Sequence, residues 1–267
     1  REVEHLLAVF DVIFWYGMPV KEKPSNTYRM PSSQNIRLIP FPPARGGDSF
    51  FQKIKVVAYL PLLFLRVLQI MVKYDFIHTR GPSVPAWCSI IMAGWFRRKR
   101  VWHKYAGNWN EQNPPFSYKR QRALLKRSTH PVTVNGRWGD KNPNILSFEN
   151  PCFSSIELAL SGRNMKDFSS GKWHILFVGR LEFEKGIHLV LEAARQLPDN
   201  FIWHIVGDGK ERKQVEHVTA QYRHIHFWGS LNRHQLNEVY ETCHFFLLPT
   251  VASEGFPKVI AEACGFG

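Results

Sequence analysis

Two short segments of this chain set charged side chains at spacings suited to a small molecule that carries phosphate and hydroxyl groups. The first, Phe177-Val178-Gly179-Arg180-Leu181-Glu182-Phe183-Glu184-Lys185-Gly186, lies between an apolar run and an amphipathic stretch. A guanidinium can fork onto two phosphate oxygens, an ammonium adds a point charge on the same diphosphate, and flanking glycines let backbone come close. The same residues also read as a solvated turn in which Arg180 and Lys185 pair with Glu182 and Glu184. The second segment is Ser253-Glu254-Gly255-Phe256-Pro257-Lys258-Val259-Ile260-Ala261-Glu262-Ala263. Pro257 suits the first turn of a helix. That puts Glu254 in the loop before the helix and Glu262 inside it, where both carboxylates could point into one cleft. Glu254, beside the flexible Gly255, could accept hydrogen bonds from sugar hydroxyls, and Glu262 could take the two hydroxyls of a ribose. A Lys258 to Glu262 surface pair one helical turn apart is the bland alternative.

Each segment follows a strand-like run, and the runs define the elements that must hold it. Trp173 to Val178 reads as a buried strand, and Ile187, Val190, Leu191, Ala194 and Leu197 then recur at the spacing of one helix face. The alternation continues with Phe201 to Val206 (strand), Glu211 to Ala220 (helix), His224 to Trp228 (strand), Arg233 to Tyr240 (helix) and His244 to Leu248 (strand). Helical crossovers between strands imply a parallel sheet covered on both faces. Ligands of such sheets bind beyond the carboxyl ends of the strands, where helix N-termini favour anions. The N-terminal part is less regular, with strands expected at Val9 to Tyr16, Ile36 to Pro40, Tyr74 to Thr79 and Val101 to Tyr105. Ser147 through Gly171 carries the Pro, Ser and Gly of a connection. The division is therefore placed at residue 150, with one domain over 1–150 and a second over 151–267.

The two motifs together resemble the family 4 (group 1) glycosyltransferases of the GT-B fold, which carry an Arg and a Lys in a GR…EKG segment and two glutamates spaced E-x7-E. Here both occur in that order, about 70 residues apart. The resemblance is close over residues 173–267 and loose before them. It implies an α/β protein of two Rossmann-like domains whose parallel sheets face each other across a cleft. It also implies transfer of a sugar from a nucleotide-diphosphate sugar to a hydroxyl of a glycan or lipid-linked acceptor, with retention, no cofactor and no metal. Arg180 and Lys185 would hold the donor diphosphate and Glu254 would meet the donor sugar as a catalytic residue. Glu262 would bind the ribose, with the backbone of Gly255 and Phe256 against sugar and phosphate. Such enzymes usually offer a histidine from the N-terminal domain, for which His103 is the candidate and His78 the second choice. Other GT-B enzymes, a sugar-phosphate synthase or a nucleotide-sugar epimerase, share the same diphosphate site.

Composition narrows the remaining classes. Lys and Arg total 35 against 22 Asp and Glu, a formal net charge of +13 that favours phosphate-rich partners. A basic nucleic-acid-binding protein is the alternative from another class, but no nucleic-acid motif is present and the aromatic residues do not interleave with the basic runs, so nucleic acid is not expected as a partner. A dinucleotide fingerprint starting at Gly207 fails because position 212 is Arg212. Four scattered cysteines without a CxxC pair indicate neither zinc nor a disulfide framework, which suits a cytoplasmic protein. The apolar run Val56 to Leu65, interrupted around it by Lys55, Arg66, Gln69 and Lys73, is expected as a packed helix rather than a membrane span. With the basic runs at 96–100 and 118–122, it makes an anionic membrane surface an expected partner, peripheral on the inner face, in envelope or exopolysaccharide synthesis. The chain begins at Arg1 and stops just after a helix starts, so it is read as clipped at both ends.

Overall fold

A computed structural model describes residues 3, 6–18, 33–41, 50–138, 142–149, 152–153, 166–252 and 257–267. The chain divides into two compact α/β units, one within residues 1–150 and the other within 151–267.

In the second unit, β7 (Trp173–Val178), β8 (Phe201–Val206), β9 (Ile225–Gly229) and β10 (Phe245–Phe246) form one parallel sheet in the order β10-β7-β8-β9. Between them run α4 (Ile187–Gln196), α5 (Arg212–Thr219) and α6 (Arg233–Thr242), and α7 (Lys258–Gly265) follows β10. Alternate strand residues feed two separate cores. Ile175, Phe177, Trp203 and Ile205 pack on Val190, Leu191 and Val215 of α4 and α5. Leu176, Val178 and Val206 pack on Val239 and Tyr240 of α6 and on Phe266. Burial on both faces explains why β7 and β8 read as continuous apolar runs. α6 starts at Asn232, whose side chain accepts from the Gln235 N–H while the Gln235 side chain accepts from the Asn232 N–H, a reciprocal cap. The strand expected over His244 to Leu248 contracts to Phe245–Phe246. Leu247 still donates to the Leu176 carbonyl, at 2.8 Å, before the chain turns away at Pro249.

The first unit holds a parallel pair, β1 (Ile13–Gly17) with β2 (Ile36–Pro40). It also holds a parallel sheet β3-β4-β5-β6 made of Phe76–Gly81, Arg100–Tyr105, Val132–Asn135 and Ile145–Phe148. Helices α1 (Phe50–Lys73), α2 (Val84–Ala93) and α3 (Phe116–Lys126) connect them. Leu63, Val67 and Met71 of α1 meet Ile77, Val101 and Met92 in the core. Ser147 and Phe148 belong to β6, so the connection expected from residue 147 starts later. β3 alternates, with Ile77, Thr79 and Gly81 buried and Phe76, His78 and Arg80 exposed. One face of that strand is therefore open within the unit, unlike β7 and β8 of the second unit.

Candidate functional site

Strand order fixes where the second unit can bind a ligand. From β7 the chain winds through β8 to β9, then returns to place β10 on the other side of β7. The loops that leave β7 and β10 therefore diverge at a topological switch point, the place where open parallel sheets take their ligands. The first motif occupies the loop after β7, and the second begins in the loop after β10.

The two loops are joined. The Glu184 carbonyl accepts from the N–H groups of Val251 and Ala252, at 3.0 and 3.1 Å, and from the Thr250 hydroxyl, at 3.1 Å. The lead-in to the second motif is thus fastened to the middle of the first. Gly186 makes the approach possible. It takes φ +74° as it closes the turn Phe183–Lys185 and opens α4, and a Cβ there would collide with the Pro249 carbonyl. Gly207 has a related duty, because a Cβ there would strike the Gly179 carbonyl. The glycines after β8 serve loop packing, which accounts for a glycine pair without a dinucleotide fingerprint.

Arg180 and Lys185 come out unlike each other. The Arg180 side chain is mostly exposed, and its guanidinium pairs with the Glu182 carboxylate at 2.9 Å, so the turn pairing admitted by the sequence is half realised. Lys185 is buried, and its ammonium is held below the usual lysine range by desolvation first and by the nearby charge of Arg180 second, with Glu182 opposing. Two cations share one loop, one exposed and one buried.

Glu262 is buried in α7, and the surface pair with Lys258 is not what holds it. Arg233 Nη1 lies 2.6 Å from Glu262 Oε1, and the Tyr240 hydroxyl donates to Glu262 Oε2 at 3.3 Å. Burial and the Glu262 charge push the Tyr240 hydroxyl well above its ordinary range. Arg233 also donates to the Cys152 carbonyl at 3.2 Å. Arg233, Tyr240 and Thr250 make contacts to the two motifs that the sequence did not single out. Arg233 is the first helical residue after an Asn cap and carried no signal beyond a helix start. Glu254, Gly255 and Phe256 lie outside the described residues.

His103 lies in the first unit. It sits inside β4, is 1% exposed, and its Nδ1 is 2.7 Å from the Thr79 hydroxyl. Burial first, then the charges of His130 and His78, lowers it to about 3, so it is a neutral ring in the strand interior. β4 runs on through Lys104 and Tyr105, which carries the strand end beyond the histidine. His78 is exposed on the open face of β3, with its ring 4.3 Å from that of Trp102. Among the described residues no group of three or more His, Cys, Asp or Glu side chains is set to hold a metal ion.

Residues 163–267 match the family described as Glycosyl transferases group 1. WcaL of Escherichia coli (strain K12), named as a colanic acid biosynthesis glycosyltransferase, is 30% identical over 104 residues, covering 35% of this chain and 26% of that protein. TuaC of Bacillus subtilis (strain 168), named as a teichuronic acid biosynthesis glycosyltransferase, is 36% identical over 88 residues, 33% of this chain and 21% of that protein. The chain thus aligns with only about a quarter of the length of these relatives. Among solved structures, Anabaena HepE in complex with UDP and glucose superposes with a TM-score of 0.57 at 17% identity, covering 86% of this chain and 65% of that one. The fold is GT-B.

Proposed function

We propose that this chain, whose residues 163–267 match the group 1 glycosyl transferases, is part of an enzyme that moves a sugar from a nucleotide-diphosphate sugar to a hydroxyl of a glycan or lipid-linked acceptor in cell-envelope or exopolysaccharide synthesis. One observation carries the reading. The Glu184 carbonyl ties the Arg180–Lys185 loop to Thr250–Ala252 at the β7/β10 switch point, so cations for a diphosphate and the approach to the glutamate pair converge on one place.

Each side chain has a job in this scheme. Arg180 leaves Glu182 to fork onto the diphosphate, and Lys185 adds a fixed, partly desolvated charge. As the bond from the anomeric carbon to the phosphate oxygen breaks, negative charge grows on the leaving group, and these cations stabilise it most at that moment. The acceptor oxygen bonds to the anomeric carbon and passes its proton to the departing phosphate on the same face, which retains configuration without a metal. Glu262 binds the ribose. Arg233 and Tyr240 occupy part of its carboxylate, and an ionised carboxylate offers about four lone-pair sites, so it can still accept from two hydroxyls. Glu254 meets the donor sugar, and the Gly255 and Phe256 backbone lies against it. His103 we assign to packing of the first unit. UDP and glucose in the HepE complex, and the polysaccharide names of WcaL and TuaC, support the donor class and the biosynthetic setting. A peripheral position on the inner membrane face completes the scheme.

The test is turnover of uridine, guanosine and adenosine diphosphate sugars with glycan and lipid-linked acceptors, with and without a chelator. Transfer with one donor, unchanged by the chelator and giving product of the donor's anomeric configuration by NMR, is expected. Loss of transfer on chelation, or inverted product, would overturn that part of the scheme.

A further inference from the structure

We infer that the outward face of α1 docks on an anionic lipid bilayer, lying flat in the interface rather than crossing it. α1 has 24 residues, all in one helix about 36 Å long. At about 3.6 residues per turn, Leu63, Val67 and Met71 fall on one side and are buried against Ile77 and Val101. On the far side Ile54, Val57, Pro61, Leu65, Leu68 and Val72 form an unbroken apolar stripe. It is open to solvent, with Val57 63%, Leu65 53% and Val72 65% exposed. Lys55, Arg66 and Lys73 follow one border of the stripe, and all three are exposed. No acidic residue stands anywhere on the helix.

The length and mean hydropathy of Ile54–Lys73 would suffice for a span. Spanning is incompatible with the buried side, because Leu63, Val67 and Met71 are fixed in the core of the unit. An apolar stripe bordered by cations is what an interfacial helix presents, with the stripe among the upper acyl chains and the cations at anionic headgroups. The C-terminal end adds to this. Lys99 donates to the Val72 and Tyr74 carbonyls, at 3.5 and 3.2 Å, which ties the loop 94–100 to the last turn. That loop carries Trp95, 73% exposed, with Arg97, Arg98 and Arg100 exposed beside it. Tryptophan favours the headgroup level, and the arginines are further cations for the same surface. A second copy of the chain is the poorer occupant, since face-to-face pairing would oppose the Lys55, Arg66 and Lys73 borders of two strongly basic proteins.

The inference does not depend on the donor site, and its test separates the two. Purified protein is co-sedimented with phosphatidylcholine vesicles with and without phosphatidylglycerol, at low and high salt, beside Val57→Glu/Leu65→Glu and Lys55→Gln/Arg66→Gln. Both double variants alter exposed positions, and circular dichroism with thermal unfolding is measured in each to show an intact fold. Binding to the anionic vesicles alone is expected, abolished in the glutamate variant and about thirty-fold weaker in the glutamine variant, at about fivefold per cation. Extraction of the bound protein by high pH without detergent is expected as well. No binding, binding indifferent to either variant, resistance to alkaline extraction, or a dimer dispersed by Val57→Glu/Leu65→Glu without vesicle binding would each overturn it.

Discussion

At the scale of single residues, Glu262 shows what a buried carboxylate requires. Its two oxygens are held by Arg233 and Tyr240, and removing the cation would leave a negative charge in a nearly closed site. Arg233→Met should therefore destabilise the second unit by about 3 kcal/mol, the range seen when one partner of a buried pair is lost, and denaturant unfolding would measure it. An unchanged midpoint would mean that the pair is solvated. Arg180 and Lys185 were legible in the sequence because two cations and two glycines stand at a strand end. Arg233 and Tyr240 were not, because their meaning comes only from a carboxylate some 20 to 30 residues away that packing brings to them.

At the scale of elements, the turn from β7 into α4 is the piece on which the site hangs. Gly186 combines a left-handed backbone with close contact to the Pro249 carbonyl, so any side chain must displace the loop after β10. Gly186→Ala should cost about 2 kcal/mol or more and reduce nucleotide binding with it, whereas an effect on stability alone would show that the two loops act separately. The strand and helix alternation of the second unit could be read closely from the sequence, because the central strands β7 and β8 are buried on both faces and each helix has one apolar stripe. The first unit was harder. α2 is apolar nearly all round and gives no periodicity, and β5 and β6 are four residues each, too short to separate from loops by pattern. A histidine near the end of an apolar run likewise carries no mark of which strand residue ends the ladder, so the sequence did not show that β4 runs on past His103.

At the scale of the whole molecule, a net charge of +13 and a neutral histidine buried in each unit make the protein acid-sensitive. Burial, with neighbouring histidines second, lowers His103 to about 3 and His204 to about 4, against about 6.5 in an unfolded chain. Between those values the unfolded state holds more protons, so stability rises with pH there and is lost as pH falls below about 6.5. Each histidine should remove up to about 1.4 kcal/mol per pH unit. Denaturant midpoints taken from about pH 7 to pH 5 should fall, and His204→Gln should flatten the trend. A midpoint that holds level over that range would show that neither ring stays neutral on burial. The donor site, however, decides what the molecule is for. Thermal unfolding should be followed with nucleoside diphosphates and their sugars, beside Arg180→Ala and Lys185→Ala. A ligand at about 100 times its Kd adds about 2.7 kcal/mol to the folded state, enough to move the midpoint by several degrees. One nucleotide should raise it, and both substitutions should abolish the rise. A folded protein whose midpoint no nucleotide moves, or one moved equally in both variants, would contradict a diphosphate site at the β7 loop.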